Sequence, residues 1–153
     1  MPLTPCDIIA EMMAVKMIRI YSELIALRTF KERYEYLKIG GKVGDETFGF
    51  DRFLNQAFYK SREWLPIRDR IIVRDNGCDL AMEGFDIFGR IIVHHLNPIA
   101  LDDILAMNDL VLNPEYLVCV SHVTHQAIHY GDANLLPKGL IERRKNDTCP
   151  WLR

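Results

Sequence analysis

His125 and His129 stand four apart in the stretch Ser121–Gly131, and an adjacent pair, His94-His95, closes the apolar run Ile91-Ile92-Val93. All five histidines of this 153-residue chain fall between residues 94 and 129. The two spacings demand different backbones. Residues four apart share one face of a helix, so His125 and His129 project together if Ser121 caps a helix that stops at Gly131. Adjacent residues of a strand point to opposite faces, so one of His94 and His95 can join that pair while the other serves a different role. A fold that sets the strand beside the start of the helix brings three imidazoles together. That is the donor set of a small divalent-metal site, and it favours a metal-dependent hydrolase.

The rest of the composition narrows the setting. With 49% hydrophobic residues, a chain of this length can build one domain with a real core but hardly two. A formal net charge of -2 argues against binding nucleic acid through general basicity. Cys6, Cys78, Cys119 and Cys149 are scattered with no CxxC pair, which reads as reduced thiols in a cytoplasm. Ile8 to Leu27 is rich in Ile, Met and Leu, but Glu11, Lys16, Arg19 and Glu23 interrupt it, so an amphipathic helix is expected and not a membrane span. Met13 and Met17 leave room for part of this segment to be an upstream extension.

Local signals then divide the chain. Thr29-Phe30-Lys31-Glu32 has the spacing of a capping box, which predicts a helix from Phe30 to about Leu37, ended by Gly40-Gly41. Residues 40–49 carry four glycines and read as a loop, followed by a helix near residues 51–59 whose Phe53, Leu54 and Phe58 join Phe48 and Phe50 in an aromatic core cluster. Ser61 can cap a helix reaching Arg74, with Pro66 causing an early kink or a late start, and Asn76-Gly77 closes it in a tight turn. Leu80 to His95 reads as a hairpin punctuated by Gly84 and Gly89, its second strand delivering the histidine pair. After a short helix near 101–107 and Asn113-Pro114, residues 116–120 form the returning strand, and residues 137–153 a polar surface arm.

This order of strand, loop, strand and helix, with His-His on the first strand and His-x3-His on the helix, resembles the HNH endonuclease family. The segments Phe58–Trp64 and Arg68–Cys78, together with Ile92–Pro98 and Leu112–Val118, look like members from tailed phages and prophages, and the likeness spans residues 58 to 132, about half the chain. The resemblance implies an α+β fold, a ββα-metal (His-Me finger) HNH core over residues 58–136, preceded by an N-terminal helical extension, residues 1–57. It implies metal ligation by His94 and His125, with His129 completing the site or contacting phosphate. It makes His95 the general base; Asn113 is the candidate for the loop-fixing role beside it, and the charge pattern around the histidines makes Arg90 a candidate phosphate contact. The implied activity is hydrolysis of DNA phosphodiester bonds in the host cytoplasm with a divalent ion: Mg, Mn, Ni, Co or Zn. The implied partners are DNA and, for a phage protein, a packaging or assembly protein, with no membrane partner.

Two departures from the family pattern carry consequences. The motif Asn usually stands directly before the Leu of the second strand, where this chain has Tyr116; Asn113 lies three residues earlier. Many relatives clamp a structural zinc with four cysteines, but only Cys78 remains here, with Ala81, Ser121 and Thr124 at the other positions. The N-terminal helices are therefore expected to supply the stability that zinc would. Residues 91–137 contain no Lys or Arg and five acids, so phosphate contacts must come from Arg90, the Lys60–Arg74 segment and the tail. Asp102 and Asp103 read as helix-start residues and His122 as a helix-start or phosphate-facing one. A non-catalytic DNA-binding or assembly module keeping the same scaffold is the alternative, with docking of the N-terminal helix in a virion a third.

Overall fold

A computed structural model describes residues 18–39 and 56–137. The fold is α+β: helices enclosing a two-stranded antiparallel sheet. Helices α1 (Tyr21–Ala26) and α2 (Phe30–Leu37) come first, and residues 56–58 are helical. Then follow α3 (Trp64–Arg74), β1 (Ile92–His95), α4 (Leu101–Leu105), α5 (Asp109–Leu112), β2 (Leu117–Val120) and α6 (His122–Tyr130). The two strands pair in the register Ile92↔Val120, Val93↔Cys119, His94↔Val118 and His95↔Leu117.

Strand alternation splits the interior in two. Val118 and Val120 look into a cluster built with Leu24, Tyr34 and Leu37 of α1 and α2 and with Ala127 and Ile128 of α6. Leu117 and Cys119 look the other way, into Phe58, Trp64, Ile71, Ile104 and Val111. All four residues of β2 are therefore buried, which explains why Leu-Val-Cys-Val shows no polar alternation. Each fully buried aliphatic side chain contributes roughly 1.5–3 kcal/mol.

Local capping signals form as expected. Thr29 Oγ1 accepts from Glu32 N at 3.2 Å, and Glu32 Oε2 accepts from Thr29 N at 2.9 Å. Helix α3 takes the late start: Ser61 Oγ accepts from Trp64 N, and Pro66 falls within the first turn, where no intrahelical amide is needed. Asp103 does serve a helix start, its Oδ2 accepting from Ala100 N at 2.8 Å. Cys78 and Cys119 are free, buried thiols, while Cys6 and Cys149 lie outside the described residues. So do the loop expected over 40–49, most of the helix expected over 51–59, Phe48, Phe50, Phe53 and Leu54 of the expected aromatic cluster, and nearly all of the tail.

Two expectations are corrected. The helix expected within Ile8 to Leu27 does not reach back past Tyr21: residues 18–20 are not helical, Ile20 is extended, and residues 8–17 lie outside the described part. Asn97 holds the chain there, its Oδ1 accepting from Arg19 N at 2.7 Å and its Nδ2 donating to Arg19 O at 2.8 Å. These are the bonds a neighbouring strand would make, and they compete with helix. The hairpin expected over Leu80–His95 reduces to one bridge, Cys78↔Asp86, and β1 pairs with β2. Leu80 and Ala81 both sit at φ 52, which no strand accommodates and which costs roughly 1–2 kcal/mol per residue. Arg33 of α2 compensates by donating from Nη1 to both their carbonyls, at 2.8 and 2.9 Å. Farther along, Phe88 is 94% exposed, while its neighbours Phe85 and Ile87 pack against the two clusters without forming a strand.

Among the described residues no helix is long and apolar enough to cross a membrane.

Candidate metal centre

Helix α6 carries the site because both its ends are fixed by sequence. Ser121 caps it, accepting from Thr124 N at 3.2 Å, and Gly131 at φ 66 supplies the left-handed residue that ends it. Thr124, Ala127 and Ile128 anchor the buried face. His125 and His129 fall beside that face, with their Nε2 atoms 3.1 Å apart. His94 comes from β1, opposite Val118, and its ring centroid lies 5.3 Å from that of His125 and 5.2 Å from that of His129. One nitrogen from each of the three lies within 4.8 Å of the others, so the group can hold a metal ion.

The surroundings suit that task. His94 Nε2 is buried without a hydrogen-bond partner, a state that costs about 1–3 kcal/mol for a polar atom and that a cation would relieve. Burial, followed by the neighbouring His125, His129 and His95 and by Arg19, holds the His94 imidazole well below its ordinary range. Burial pushes His125 down to about 4, with smaller contributions from His129 and His122, and burial lowers His129 as well. All three rings are thus neutral at pH 7 with lone pairs available to a cation, which must otherwise compete with protons. The open side is lined by His122, Gln126 and Tyr130 together with His125 and His129.

His95 occupies a different environment. As alternation requires, it faces the second cluster, opposite Leu117, and its ring meets Trp64, Phe58 and Tyr59. It is 8% exposed, and its Nε2 lies 3.0 Å from Val111 O. An imidazole can meet a carbonyl there only by donating, so Nε2 carries the proton and Nδ1 keeps the lone pair. Among the described residues Nδ1 takes no hydrogen-bond partner, and it is not one of the sealed, unpaired atoms. Burial lowers His95 to about 4, against the opposing effect of the Val111 hydrogen bond. The ring is therefore neutral near pH 7, and a weaker base than free imidazole.

The structure thus brings His94, His125 and His129 together and sets His95, Asn113 and Arg90 apart from them. Asn113 connects to His95 through one intermediate. Its Oδ1 accepts from Glu115 N at 2.9 Å and its Nδ2 donates to Asp109 Oδ2 at 3.0 Å, bracketing α5, and α5 carries the Val111 carbonyl. Arg90 is exposed and makes no hydrogen bond among the described residues. His122 is exposed at the start of α6.

Three contributors escape sequence reasoning. Trp64 reads only as an apolar helix position, and the Val111 carbonyl leaves no side-chain signal. Asp79 is the third: buried between Cys78 and Ala81, it accepts from Ser121 N at 3.2 Å, from Ser121 Oγ at 2.7 Å and from Thr124 Oγ1. A hydrogen-bonded carboxylate thus ties the first turn of α6, through Ser121 and Thr124, to the segment that follows α3. Burial raises the Asp79 carboxyl above its usual range despite these bonds.

No family model, no curated protein and no solved structure matches this chain.

Proposed function

We propose that the protein is a metal-dependent endonuclease of HNH type that hydrolyses DNA phosphodiester bonds, encoded by a phage or prophage and acting in the host cytoplasm. The convergence of His94, His125 and His129 around an orphaned buried nitrogen, with one side left open, carries this reading. An all-imidazole set favours Zn, Ni, Co or Mn over Mg, which prefers oxygen ligands. A cation held there supplies Lewis-acid stabilisation of the negative charge growing on the phosphate and the departing 3′ oxygen.

The chain's own residues supply the rest. His95 Nδ1 accepts the proton of the attacking water while Nε2–H stays on Val111 O, so the ring keeps one orientation as it gains charge. Because His94 and His95 close β1, both act from the same end of the sheet. Asn113 holds the loop that carries Val111, and Arg90 binds a flanking phosphate.

Nicking of supercoiled plasmid with added Mg, Mn, Ni or Zn, run beside His95→Ala, tests this reading. Metal-dependent nicking that drops by about 10²–10⁴ in the variant is expected. Metal binding without nicking by the wild type overturns the enzyme, and nicking that survives in His95→Ala overturns the base. A second reading, a non-catalytic DNA-binding or phage packaging and assembly module, draws support from the burial of His95 beneath Trp64 and from Tyr116 at the motif Asn position.

A further inference from the structure

The hydrogen bond to Val111 fixes only one atom of the His95 ring. A terminal aromatic torsion is soft, so a ring tethered at Nε2 can still pivot about that contact, and Nδ1 would sweep with it. What blocks the pivot is a surface lying flat on the ring. Three aromatic residues touch His95, and their angles differ: Phe58 and Tyr59 stand tilted at 47° and 54° with centroids 6.4 Å away, whereas Trp64 lies within 22° of parallel at 5.3 Å. Trp64 is itself held. It is 2% exposed, its amide is capped by Ser61 Oγ, and the rings of Phe58 and Tyr59 pack against its other sides at 5.2 and 5.4 Å. It opens α3, a helix pinned farther along by fully buried Ile71 and by Arg74, which donates to Pro114 O and Leu117 O.

We propose that Trp64 is the positioning residue of His95: its indole, stacked on the imidazole, holds Nε2–H on the Val111 carbonyl and keeps Nδ1 turned outward as the proton acceptor. The proposal rests on the reading of His95 as general base. The wall needs a flat face of aromatic size, so phenylalanine can replace it in part and leucine, which fills space without stacking, cannot.

The experiment uses the full chain with Trp64→Leu and Trp64→Phe, in two arms. In the first, ¹⁵N-labelled imidazole spectra are recorded. The wild type and Trp64→Phe are expected to show His95 as the Nε2–H tautomer with a proton slow to exchange, and Trp64→Leu to lose that slow proton. In the second, plasmid nicking with Mn²⁺ is expected to show kcat down about 10- to 100-fold in Trp64→Leu, with KM and Zn²⁺ affinity unchanged and Trp64→Phe recovering most of the loss. A folded Trp64→Leu with the slow proton and wild-type kcat overturns the proposal. So does a wild type whose His95 already exchanges freely between tautomers, which needs no variant to fold. Failure of the wild type to nick with any metal removes the endonuclease reading alone, because the spectra still decide whether Trp64 orders the ring.

Discussion

His94 and His95 are neighbours in sequence and opposites in environment. His94 faces α6 and finds two more imidazoles; His95 faces α3 and finds a carbonyl and three aromatic rings. Both sites are dry enough to keep imidazole neutral, but one leaves a nitrogen wanting a partner and the other satisfies a nitrogen and stacks the ring. The contrast teaches that a two-stranded sheet buried on both sides can divide labour between consecutive residues: binding on one face, orientation on the other.

The sharpest way to break the comparison is metal affinity. His125→Ala should lower Zn²⁺ affinity on the order of a thousand-fold, the share of one ligand in a site of this type, while His95→Ala changes it only a few-fold. Competition with a chromogenic chelator reads both, and equal losses would mean that the faces are not separate. Next in size is Ile71→Ala on the α3 face, expected to cost about 2–5 kcal/mol in urea unfolding with Zn²⁺ affinity retained, since Ile71 belongs to the cluster away from α6. Asp79→Ala should cost about 2 kcal/mol and, because Asp79 ties down the first turn of α6, should weaken Zn²⁺ binding as well. Retained affinity there would show that α6 needs no such anchor.

A further effect is in acid. His95 and His125, both lowered to about 4, bind protons less readily in the folded state than in the unfolded chain, where imidazole titrates near 6.5. The metal-free protein therefore loses stability as pH falls through 6.5 and goes on losing it down to about 4. The melting temperature should decline over that window, and His95→Phe should flatten the decline. An unchanged slope would mean that His95 is accessible to protons as the protein stands.

Local chemistry was what the sequence showed best. The Thr29 box, the Ser121 cap, the Gly131 stop and the placing of Pro66 each depend on residues within one turn, and all are formed. The one-turn spacing of His125 and His129 and the opposed facing of His94 and His95 follow from helical and strand periods alone. What escaped depends on partners far along the chain. Asn97 holds the Arg19 backbone from 78 positions away, and Arg33 stabilises a left-handed pair 47 and 48 positions on. The stacking of Trp64 on His95 likewise arises only when α3 is laid across the sheet.

The double covering of β2 also makes Cys119 a clock. Its thiol is wholly buried, and burial, with Asp75 close by, pushes its pKa up to about 12, so a thiol reagent finds neither access nor thiolate while the sheet is closed. Because Cys119 faces the cluster that α3 covers, exposing it means parting α3 from the sheet. The rate at which Cys119 is labelled thus counts the openings of the α3 face, and a rate that stays the same with Zn²⁺ present would show that this face opens independently of the one carrying His94, His125 and His129.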